Sequence, residues 1–186
     1  MKDHLKWKTL SSEYLFSDLW FKVRKDICET PDGTIVNPYY VYEFPTWVIG
    51  LPVTEDGKII MVRQYRQALG ETCIEIPGGC VDDTDKSLQD AAARELLEET
   101  GYTFSGYEYL GKISANPSTN NNLAHMYLAT GGKKTQKQKL DRNEEIEVEL
   151  YTVDVIKQFI RENKIIQAMH VTCILYAFEK MGKISY

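Results

Sequence analysis

The sequence predicts an α+β protein in which strands dominate the first half and helices come later. Three observations carry that expectation. Runs rich in aromatic and β-branched residues, bounded by turn formers, fill the chain as far as residue 76. One helical pattern opens at Ser87, three residues ahead of Asp90, and closes at Gly101. Two more helical patterns end the chain, with apolar residues at helical spacing over Val155 to Glu162 and Ile166 to Met181.

The individual strands follow from turn chemistry. Phe21 to Glu29 and Val36 to Phe44 flank Pro31-Asp32-Gly33-Thr34. Val48 to Val53 and Lys58 to Tyr65 flank Thr54-Glu55-Asp56-Gly57, a hairpin signal. The continuous apolar run Ile59-Ile60-Met61-Val62 predicts a strand buried on both faces. Cys73 to Ile76 predicts a short strand ending in a Pro77-Gly78-Gly79 loop, and Tyr107 to Ile113, His125 to Ala129 and Ile146 to Val153 predict three more. Gly131 to Arg142 is polar and lysine-rich, and reads as an exposed loop. The division expected is a strand subdomain over residues 1–43 and a main domain over 44–186.

Composition sets limits on function. The 186 residues are 43% hydrophobic and 26% charged, which suits a folded domain with its own core. A formal net charge of -5 gives no broad attraction to nucleic acid or to an anionic membrane, so neither is expected as a partner. An anionic substrate then requires placed cations or bound metal. Met1 to Leu10 lacks the apolar run of a signal peptide, and no stretch is apolar enough to span a bilayer. Cys28, Cys73, Cys80 and Cys173 have no zinc-ligand spacing and read as reduced thiols of a cytoplasmic protein.

The informative segment is GGCVDDTDKSLQDAAARELLEETGY, residues 78–102. At 100° per residue, Glu95 and Glu99 lie within about 40° of each other on the helix, on the side that carries Leu88, Ala91 and Ala92. Carboxylates on an inward stripe are costly unless paired or bound to metal. Mg2+ prefers such oxygen ligands, and a glycine pair ahead of the helix can offer a main-chain carbonyl. An isolated Glu-Glu pair is ordinarily a solvated helix face. The full string Arg-Glu-x-x-Glu-Glu-x-Gly arises by chance only about once in a million positions.

The segment resembles the Nudix box, in which Gly, five residues, Glu and seven residues precede Arg-Glu-aliphatic-x-Glu-Glu-x-Gly-aliphatic. Arg94 to Gly101 matches the second half, and Pro77-Gly78-Gly79 matches the entry. The span from Gly79 to Arg94 is one residue too long, and the first box glutamate is replaced by Asp85 or Lys86, depending on where the insertion falls. Tyr102 stands at the usually aliphatic last position. In the family that first glutamate supports the arginine and holds the loop to the helix. Outside the box, Val62-Arg63-Gln64-Tyr65-Arg66, Glu75-Ile76-Pro77-Gly78-Gly79, Pro117 sixteen residues after Gly101, and Asn143-Glu144-Glu145-Ile146 resemble the ADP-ribose pyrophosphatase branch.

The resemblance implies a Nudix fold: a mixed β-sheet sandwiched between helices, an α/β/α sandwich, with a small N-terminal antiparallel β subdomain that is exchanged in a homodimer. It implies metal ligands at Glu95, Glu98, Glu99 and the carbonyl of Gly78, for Mg2+ or alternatively Mn2+. It assigns catalysis to Glu99, Glu95 and Arg94, with Glu144 or Glu145 as the base. It places Arg66, Glu75, Pro117 and the base-stacking candidate Trp47 on the substrate side. Trp20, Phe21 and Tyr40 are further stacking candidates, although strand aromatics more often belong to a core. His4, His125 and His170 are scattered, and His170 reads as structural.

The activity implied is hydrolysis of a small-molecule nucleoside diphosphate derivative, first ADP-ribose or a similar ADP-sugar, giving AMP and a sugar phosphate. Two alternatives stand beside it. One is a Nudix enzyme for GDP-sugar, dinucleoside polyphosphate or coenzyme A. The other is a Nudix-fold nucleotide-binding regulator without turnover; the chain shows no DNA-binding appendage.

Overall fold

A computed structural model describes residues 3–185. Its first unit comprises residues up to Pro45 together with Ser114–Asn122. Here β1 (Lys8–Ser17), β2 (Lys22–Glu29) and β3 (Ile35–Glu43) form an antiparallel meander in that order. Gly33, at φ 86°, supplies the left-handed residue of the turn between β2 and β3. β1 was not among the expected strands. All ten of its residues are exposed, so no burial pattern marks it, and it is a strand only by its pairing with β2. At the centre of this sheet the Arg24 guanidinium binds Asp26 at 2.8 Å and also pairs with Glu43. Ser114–Asn122 is joined to β3 through main-chain bonds: Tyr42 N donates to Thr119 O (2.7 Å) and Asn121 N to Tyr42 O (3.1 Å).

The second unit comprises Thr46–Ile113 and the chain from Leu123 onward. Its strands are β4 (Trp47–Thr54), β5 (Ile59–Arg66), β6 (Glu71–Glu75), β7 (Gly78–Cys80), β8 (Tyr102–Thr103), β9 (Gly106–Ile113), β10 (Ala124–Lys134) and β11 (Ile146–Tyr151). Its helices are α1 (Leu88–Thr100), α2 (Val153–Arg161) and α3 (Ala168–Lys180). The sheet runs β11-β5-β4-β10-β8, with β6 on β5, β7 on β4 and β9 on β10. β10 is parallel to β4 and the other pairs are antiparallel, so the sheet is mixed, as expected.

Alternation along β4 explains the layers. Ile49, Leu51 and Val53 point to the core formed with Ile156 of α2 and Met169, Cys173, Ile174, Ala177 and Phe178 of α3. Val48 points to the other face, where it meets Ala91 and Ala92 of α1 and Tyr127 of β10. A Cβ on Gly50 would lie 3.1 Å from Leu96 of α1, so the missing side chain lets the helix lie close to the sheet. The result is an α/β/α sandwich. Ile59 to Val62 are buried on both faces, as their continuous apolar run implied.

Two local expectations are corrected. Gly78-Gly79 is not a loop but the start of β7, with Ile49 opposite Gly78 and Val48 opposite Gly79. Gly131 to Arg142 is not a free loop. Its first residues extend β10 to Lys134, and the next ones are bonded to the end of α1. Lysines can sit on such a segment because main-chain hydrogen bonds hold it and leave the side chains in water. No helix among the described residues is long and apolar enough to cross a membrane, and all four cysteines are free thiols.

Candidate active site

Helix α1 carries three of the acidic candidates. Ser87 caps it, accepting from Asp90 N at 3.1 Å, and Gly101 ends it at φ 76°. This sets the rotational phase that turns Ala91, Ala92, Leu96 and Glu99 inward. Glu99 is only 6% exposed, and its Oε2 accepts a hydrogen bond from Gly78 N at 3.0 Å. Burial pushes its pKa up to about 8; the Gly78 N–H opposes the shift, and the charges of Glu95 and Glu144 add to it. Glu95 is also raised by burial, against the pull of Arg94. Glu98 is half-buried on the same helix.

Arg94 forms ion pairs with three carboxylates of this cluster, Asp85, Glu95 and Glu98. Its Nε and Nη2 donate to the two oxygens of Asp85 at 3.0 and 2.8 Å, and Nη2 also donates to Cys80 O at 2.9 Å. Its Nη1 donates to Glu95 at 2.8 Å and Glu98 at 3.1 Å. Asp85, not Lys86, therefore stands in for the first box glutamate. A loop one residue longer delivers a side chain one methylene shorter to the same arginine. The bidentate pair holds the Asp85 carboxyl below the usual carboxylate range.

The two glycines of β7 are needed for closeness. A Cβ on Gly79 would lie 2.6 Å from the Glu95 carboxyl group, and one on Gly78 would collide with Val48 O and lie 2.8 Å from Ile49 Cα. Only bare backbone fits between β4 and the carboxylates of α1.

The acidic loop after residue 140 comes to the same side. Glu144 is half-buried, its Oε2 accepts from Asp141 N at 3.0 Å, and its charge acts on both Glu95 and Glu99. Glu145 is exposed and lines a hollow of about 230 Å³ with Gln64, Tyr65, Arg142 and Asn143. Arg66 and Glu75, two separate substrate candidates, are paired with each other: Nε to Oε1 at 2.9 Å and Nη2 to Oε2 at 2.5 Å. Glu75 is buried, so the pair orients the guanidinium, with Nη1 as its one nitrogen not engaged by Glu75. Behind them His170 of α3 brings Nδ1 to 3.8 Å from Glu75 Oε2. Burial pushes the His170 pKa down to about 4, so this imidazole is neutral.

Trp47 packs against the core shared with α2 and α3 and its side chain bonds to Cys80. Pro117 lies in the first unit, exposed on Ser114–Asn122. Asp85 was one of two alternatives offered by the sequence, and spacing alone could not choose between them.

The donor set fits a hard divalent cation: clustered carboxylates, one of them buried and raised in pKa, beside a glycine strand. As the side chains stand, no three acidic, histidine or cysteine groups among the described residues converge at coordinating distance. Glu95 is held on Arg94 and Glu99 on Gly78 N, so both carboxylates must turn to share an ion.

Residues 45–169 match the family model described as NUDIX domain, and residues 7–42 match the nucleoside diphosphate sugar hydrolase N-terminal domain. A methanol dehydrogenase activator of Bacillus methanolicus is 32% identical over 91% of each chain. An ADP-ribose pyrophosphatase of Bacillus subtilis (strain 168) is 30% identical over 92% of each chain. One from Mycobacterium tuberculosis is 34% identical over 67% of this chain and 60% of that one. A crystal structure of an ADP compounds hydrolase superposes with a TM-score of 0.84 over 99% of this chain and all of that one; at 20% identity this shows the fold. The chain belongs to the Nudix family, and within it to the pyrophosphohydrolases of the ADP-ribose pyrophosphatase type.

Proposed function

We propose that the chain hydrolyses ADP-ribose or a similar ADP-sugar to AMP and a sugar phosphate, with Mg2+ held by Glu95, Glu98, Glu99 and the Gly78 carbonyl. The observation that carries the reaction is Glu99: a carboxylate 6% exposed, beside two other acidic side chains, with no ion pair to it among the described residues. A folded chain sustains that cost where a bound cation offsets it. When bound, the ion neutralises pyrophosphate oxygens and lowers the pKa of a water. Glu144 or Glu145 accepts the water's proton. The water oxygen bonds to phosphorus as the bridging P–O bond breaks, and the bridging oxygen leaves with the other phosphate. Arg66, oriented by Glu75, neutralises a phosphate oxygen. Arg94 and Asp85 keep the carboxylates of α1 in place.

The choice of an ADP-sugar rests on the named activities of the Bacillus subtilis and Mycobacterium tuberculosis relatives and on the Arg63-Gln64-Tyr65-Arg66 strand end. It is tested by comparing kcat/KM for ADP-ribose, ADP-glucose, GDP-mannose and NADH at fixed Mg2+. A preference of more than about tenfold for GDP-mannose or NADH refutes it and leaves the family standing. The Bacillus methanolicus relative's name favours a second reading, an activator of a partner enzyme; turnover of no compound in the panel would support that instead.

The protein acts as a homodimer in this proposal. Leu10, Tyr14, Leu15 and Phe16 of β1 are all half exposed or nearly so, an apolar surface of the kind that association covers. Light scattering at micromolar concentration is expected to give twice the chain mass, and a monomer refutes the assembly.

A further inference from the structure

The acidic loop is closed at its base by one side chain. Gln138 Nε2 donates to Glu99 O at 2.6 Å and to Ile146 O at 3.0 Å. The next residue adds a main-chain bond, Lys139 N to Glu98 O at 2.8 Å. Thr135 N and Gln136 N both bond to Gly101 O, at 2.9 and 3.2 Å. The segment therefore lies along the end of α1 and uses helix carbonyls that have no partner inside the helix. Gln138 does more than cap. One amide group ties the carbonyl of Glu99, a candidate metal ligand, to the carbonyl of Ile146, the residue after Glu144 and Glu145. Lys139 to Glu145 becomes a short loop whose two ends are held against the same helix turn.

We propose that Gln138 is a positioning residue: it sets the distance between the carboxylates of α1 and the glutamates of the acidic loop. The proposal rests on the reading that Glu144 or Glu145 takes the proton from water. Gln138 touches neither substrate nor metal, and it acts by limiting where those glutamates can stand. A rate that depends on placement falls steeply when a group drifts by an ångström. The two amide donors matter and the apolar stem does not. Gln138→Met keeps the length and removes both bonds, whereas Gln138→Lys keeps a donor.

The test is a double-mutant cycle with kcat for ADP-ribose, KM, and the melting temperature by circular dichroism. Gln138→Met is expected to lower kcat about tenfold or more with KM held within about threefold. Gln138→Lys is expected to recover most of that loss. In a Glu144→Gln/Glu145→Gln background the same Gln138→Met change is expected to cost less than about twofold, because the group it places is already gone. An equal loss in both backgrounds, or a lower melting temperature with kcat unchanged, overturns the proposal and leaves the glutamates' role intact. Full activity of the Glu144→Gln/Glu145→Gln protein overturns both.

Discussion

Replacing Glu99 with Gln should make the metal-free protein more stable and the enzyme inactive. Glu99 is 6% exposed, and its pKa stands at about 8 against an ordinary 4.5, chiefly through burial. At neutral pH the unfolded chain carries this group ionised, while the folded chain favours the neutral acid. The group therefore costs stability, and the cost grows as pH rises from about 4.5 to about 8. At pH 7 the difference spans about 2.5 pH units at 1.36 kcal/mol each, or about 3 kcal/mol. Glutamine cannot ionise, and its amide oxygen can still accept from Gly78 N. In a chain of this length, 3 kcal/mol corresponds to roughly 5–10 °C in melting temperature. The assay is scanning calorimetry of both proteins in EDTA and in excess Mg2+, with kcat measured alongside. Glu99→Gln should melt higher than wild type in EDTA, gain little from Mg2+, and lose turnover by about a thousandfold, roughly 4 kcal/mol. A lower melting point in EDTA refutes the burial argument. An equal gain from Mg2+ in both proteins, or near-normal turnover, refutes Glu99 as a ligand.

Three other outcomes follow from the geometry. Asp85→Asn breaks the ion pair that anchors Arg94 and should lower kcat about tenfold; Asp85→Glu should stay within about threefold by steady-state kinetics. Gly79→Ala places a methyl 2.6 Å from the Glu95 carboxyl group; kcat should fall by about a hundredfold, as for a misplaced group, while circular dichroism shows the fold intact. His170 is held neutral with its pKa pushed down to about 4 by burial, so its stability contribution is full above about 6.5 and is lost as pH falls toward 4. Urea titrations at pH 7 and pH 4 should show wild type losing about 3 kcal/mol more than His170→Gln over that range.

The sequence by itself determined the fold class, the ends of α1 and the type of chemistry. Those features are local: Ser87 and Gly101 cap a helix through their own backbone preferences, and Glu95 and Glu99 share a stripe because helical geometry requires it. The unbroken apolar run at Ile59 to Val62 likewise announced a strand buried on both faces. Tertiary structure alone decided which partners those residues take. Asp85 rather than Lys86 reaches Arg94 because the longer loop folds that carboxylate onto the guanidinium nine residues away in sequence. Arg66 and Glu75, also nine residues apart, pair across the β5–β6 hairpin. β1 escaped notice because it is exposed on every residue and owes its form to β2. Gln138 was silent because its amide bonds to two main-chain carbonyls, Glu99 O and Ile146 O, and a main-chain acceptor leaves no trace in the identity of the residue that supplies it.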